Sequence, residues 1–95
     1  MSENAPEKTF QQRCDEFIDL ANQQHQDTEA ENVNSALLFS AARFNVFSTA
    51  PQFESAEQLK EEKDKIIEYF AQRFAEMMVT NLDEYIDRFD EYNPK

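Results

Sequence analysis

From Phe10 onward the chain repeats apolar side chains at the spacing of an α-helix. Phe10, Cys14, Phe17, Ile18 and Ala21 share one side, while Asp15, Glu16 and Asp19 fall largely on the other. Thr9 followed by Gln12 matches a capping box, so a first helix is expected over residues 8–25, ended by the polar run Asn22 to Asp27. Thr28 with Glu31 reads as a second capping box, with Asn32 as a rival cap. Pro51 disfavours helix at Ala50, which closes a second helix near Ser48. At 100° per residue, Val33, Ala36, Leu37, Ser40, Phe44 and Phe47 lie on one face of that helix. Leu38, Phe39, Ala42 and Val46 occupy most of the opposite side. A helix apolar nearly all round is expected to be buried nearly all round, which makes this the central helix.

Ser55 with Gln58 is a third capping box, and Phe53 stands where it can fold back onto Leu59. Beyond it Leu59, Ile66, Phe70, Phe74, Met77 or Met78, Leu82, Tyr85 or Ile86, and Phe89 recur every 3.75 residues or so, too wide a step for a left-handed heptad coiled coil. One continuous or gently bent helix over 56–91 would span about 54 Å, roughly twice the reach of either earlier helix. Its far half then needs another partner: a fourth helix made by a break near Asn81, or a second subunit. The expectation is a single all-α domain over residues 1–95. It is a small three-helix bundle with a long C-terminal helix, four helices if the chain breaks near Asn81, and residues 1–6 are disordered.

Composition sharpens this picture. The 95 residues contain no glycine, so the usual left-handed helix caps and tight hairpin turns are missing, which favours helices over strands. Twenty acids against nine bases give a formal net charge of −11. That field repels nucleic-acid phosphates and anionic membrane surfaces, so neither is an expected partner. Basic proteins or peptides fit the charge, and so does plain solvation. The stretch from Asn32 to Phe53 stands apart because Arg43 is its one charged side chain. No stretch is apolar enough to span a membrane, the start of the chain has no apolar signal region, and the single cysteine cannot close an internal disulfide. A cytoplasmic location is expected.

Candidate chemistry is sparse. Cys14 and His25 are the only residues of their kind, and eleven helical residues separate them by about 16 Å, so they form no nucleophile–base or metal pair. Cys14 is read as a small core residue and His25 as a helix-end cation or cap. The stretch DEYIDRFDEY repeats Asp-Glu-Tyr at seven residues and stacks Tyr85 over Tyr92. It is either a solvated face or an acidic, aromatic-edged strip for a basic partner or a weak cation site. Calcium loops, diiron sites, phosphate loops and hydrolase elbows cannot be written from this sequence, so enzymatic activity and cofactors are not expected. Glu57, Glu61, Glu62, Asp64 and Glu68 alternate with lysines as a solvated face, with Glu61 and Lys65 as an i,i+4 pair.

Arg43 is the sharpest single residue. A buried guanidinium needs a carboxylate, so it is expected either in a structural salt bridge or, with Asn45, as an anion-recognising group in a Phe-lined groove. The candidate interaction or anion site is therefore Arg43, Asn45, Phe39, Val46 and Leu38. Two functional expectations follow: a non-enzymatic interaction or structural module, self-associating as a homodimer, or a small-molecule or anion binder built on Arg43.

Four segments carry a family resemblance: FIDLAN at 17–22, SALLFSAARFN at 35–45, FESAEQ at 53–58 and NLDEYIDRFDEY at 81–92. Together they resemble an uncharacterised family of short bacterial proteins, domain of unknown function 3144. The resemblance spans nearly the whole chain, with AARFN its most specific part. It implies an intracellular helical bacterial protein and brings no activity, cofactor or site residue.

Overall fold

The computed structural model describes residues 6–94, and the expected disorder of residues 1–6 falls, apart from the exposed Pro6, outside them. The chain is all-α, with no strand among the described residues. Five helices follow in order: α1 (Phe10–Gln24), α2 (Ala30–Thr49), α3 (Ala56–Glu61), α4 (Lys63–Asp87) and α5 (Phe89–Tyr92). Three are long, at 15, 20 and 25 residues. They belong to two compact units, Met1–Thr49 and Ala50–Lys95.

In the first unit, the start of α1 is fixed by local chemistry. The Thr9 hydroxyl accepts from the Gln12 N–H at 3.1 Å, and the Gln12 side chain accepts from the Thr9 N–H at 2.8 Å. Both donors would otherwise face water unpaired, and the reciprocal pair is the capping box that the sequence announces. At the other end His25 caps the helix: its N–H donates to the Ala21 carbonyl at 2.9 Å. Its Nδ1 lies 2.9 Å from the Thr28 carbonyl, and a carbonyl only accepts, so Nδ1 carries a proton. The second capping box does not form. The Thr28 hydroxyl instead accepts from the Asn32 side-chain amide at 2.7 Å, and α2 starts two residues past Thr28. With α2 starting at Ala30, Thr28 stands one residue ahead of the cap position, and Asn32 reaches its hydroxyl from one turn on.

α2 is not the buried central helix that its composition suggests. Val33, 8% exposed, is the one buried residue among those described, while Phe44 is 73% exposed and Leu38, Phe39, Val46 and Phe47 are all exposed. Surrounding a helix on all sides takes several neighbours, and within its unit α2 has α1 alone. Cys14 and Ala21, one heptad apart on α1, are half-buried, as expected of the inward side of that helix.

In the second unit, Ala50–Gln52 makes one 3₁₀ turn around Pro51, and the Phe53 N–H closes it on the Ala50 carbonyl at 3.0 Å. Ser55 caps α3 by accepting from the Gln58 N–H at 3.1 Å. The Gln58 side chain reaches one residue further back than a standard box, to the Glu54 N–H at 2.8 Å. Phe53 and Leu59 are both half-buried, as a hydrophobic staple requires. The long helix does not break near Asn81. Thr80 donates to the Glu76 carbonyl at 3.2 Å and Asn81 to the Met77 carbonyl at 2.7 Å. Two polar side chains that could cap a new helix thus bond back one turn and stay within the old one. The departures from regular helix occur at Glu62 (φ −96°, ψ 2°) and Arg88 (φ −117°, ψ 32°). The irregularity at Glu62 changes the ion pairing there: Lys65 approaches Glu62 at 3.9 Å in place of the expected Glu61.

Candidate functional site

The apolar surface of the second unit is laid out by helical geometry. At 100° per residue, Ala71, Phe74, Ala75, Met78, Val79, Leu82, Tyr85 and Ile86 fall within an arc of about 140° on α4. Every charged residue of that stretch, Arg73, Glu76, Asp83, Glu84 and Asp87, falls within about 100° on the other side. Leu59, Ile66 and Phe70 are half-buried, but from Ala71 onward each described residue is exposed, with Ile86 at 65%. A charge-free face of this width is broader than the two-position seam of a coiled coil. Exposed in water, it is the kind of patch that marks a protein interaction site.

The sequence-chosen site lies on α2. Arg43, Phe39, Val46 and Leu38 are exposed and Asn45 is half-buried. The Arg43 guanidinium rests 4.4 Å from the centroid of the Phe47 ring, a cation–π contact one turn along the helix. No carboxylate of the described residues lies within ion-pair distance of it, so the expected structural salt bridge is absent from the described residues. Being exposed, Arg43 has water in place of a counter-ion and needs none.

A polar cluster closes the C-terminal end. Arg88 donates from Nε to Glu91 at 3.0 Å and from Nη1 to Glu84 at 3.2 Å, and its guanidinium lies 5.2 Å from the Tyr92 ring centroid. The Tyr92 hydroxyl donates to Glu84 at 2.8 Å, and the Asn93 amide donates to the Tyr85 hydroxyl. Tyr85 and Tyr92 stack with centroids 5.0 Å apart and planes at 25°, as the seven-residue repeat leads one to expect. Reading by the repeat alone misses the role of Arg88 between Glu84 and Glu91. The available signal was Glu84 four residues before Arg88, the favourable order for an i,i+4 pair. The cluster ties α5 to α4 across the irregular residue Arg88.

Both central ionisations move in the direction of these contacts. The Arg88 guanidinium is held above its ordinary range, first by the hydrogen bond to Glu91, then by Tyr92 and Glu84. The Tyr92 phenol is raised because its neutral form donates to Glu84, with partial desolvation adding to the effect. A pKa raised on folding means a contribution present below the unfolded value near 10 and lost as pH climbs through the folded one. Spectrophotometric titration of tyrosine should therefore show one late-ionising phenol, absent in Tyr92→Phe. The tie between α5 and α4 should loosen only once that phenol ionises.

Among the described residues no group of three His, Cys, Asp or Glu is placed to hold an ion, and no helix is long and apolar enough to cross a membrane. What the fold presents is a small acidic all-α chain with wide exposed apolar faces. Residues 10–86 match the family described as "Protein of unknown function (DUF3144)". The chain belongs to that family. It is also similar to a solved structure, "NMR structure of the protein NB7890A from Shewanella sp". Identity is 36%, with 92% of this chain and 93% of that one covered and a TM-score of 0.76. No curated protein matches the chain.

Proposed function

We propose that this protein is a non-enzymatic helical module that works by self-association, forming a homodimer in the cytoplasm. The observation that carries the reading is the exposed, charge-free arc of α4 from Ala71 to Ile86, with the acids gathered behind it. A chain whose described residues include a single buried side chain lacks the apolar burial that ordinarily stabilises a domain of this size. A second copy supplies it without a foreign partner. The absence of catalysis rests on the residues present: one cysteine, half-buried on α1, and one histidine engaged as a helix cap. The cytoplasmic location rests on the lone thiol.

Light scattering on the purified protein at micromolar concentration tests this. The expected mass is about twice 11.2 kDa; a strictly monomeric species that melts cooperatively would overturn the reading. Anion binding at Arg43 has one observation in its favour, the lack of a carboxylate partner among the described residues. Against it, the guanidinium lies open on the Phe47 ring and not in a Phe-lined cavity. Self-association accounts for more of the molecule.

A further inference from the structure

We draw no further inference here: the strongest candidate, the exposed apolar arc of α4 from Ala71 to Ile86, has its charged residues on the opposite side of the helix, and nothing in the structure shows what covers it.

Discussion

Leu82→Glu is expected to leave the protein monomeric at concentrations where the unaltered chain forms the proposed dimer. Leu82 is half-exposed in the single chain, at the middle of the charge-free arc, and on the opposite side from the acids. Glutamate is nearly as good a helix former as leucine, so α4 itself survives the change. In the proposed dimer, twofold symmetry would place two such carboxylates in the interface, with no cation on the apolar arc to meet them. A buried, unpaired charge costs several kcal/mol. At about 3 kcal/mol for each copy, the dissociation constant rises by roughly ten-thousandfold. The adjacent Asp83→Asn is the control: it lies on the charged arc and is expected to alter association only a few-fold. Sedimentation equilibrium across a concentration series, with circular dichroism to confirm helicity, reads both. A Leu82→Glu protein that dimerises as tightly as the parent would take α4 out of the interface.

Much of the local architecture is legible in the residues because it depends on neighbours a few positions away. The Thr9–Gln12 box, the Ser55 cap and the Tyr85–Tyr92 stack each depend on i,i+3 to i,i+7 geometry that sequence spacing specifies, and α2 ends at Thr49, just ahead of Pro51. The second capping box fails for a reason equally local: α2 starts two residues past Thr28, whose hydroxyl accepts from the Asn32 side chain instead. Burial is a different matter. Periodicity says which face of a helix is apolar, not how many neighbours come to cover it. α2, apolar on nearly every side, was therefore easy to mistake for a helix surrounded within its own chain. The same reasoning made Arg43 look buried and in need of a carboxylate, when it is exposed and stacked on Phe47. The long C-terminal helix shows the converse. Its unbroken passage through Thr80 and Asn81 follows from two side chains that bond back one turn, the alternative that spacing alone left beside a break near Asn81.

In the first unit, Val33→Asp is expected to produce a large loss of stability. Val33 is 8% exposed, in the first turns of α2. Truncation to alanine would remove apolar contact amounting to about 1.5 kcal/mol. An aspartate adds the cost of a carboxylate withdrawn from water, several kcal/mol in the absence of a partner. Its place near a helix N-terminus returns some of that through the helix dipole, but only about 0.3–1 kcal/mol, so burial wins. Against a total stability that is commonly about 5–15 kcal/mol, the loss is large enough to melt α1 and the start of α2 at room temperature. Asn34→Asp, one residue on and exposed, is expected to change stability by less than about 0.5 kcal/mol. Urea denaturation followed by circular dichroism at 222 nm measures both. A pH series separates charge from mere loss of volume. A buried aspartate has its folded pKa raised, so the deficit relative to the parent shrinks as pH falls toward and below about 4. A deficit that stays constant between pH 7 and pH 3.5 would mean that the introduced carboxylate remains in water, and that Val33 is not the packing centre of its unit.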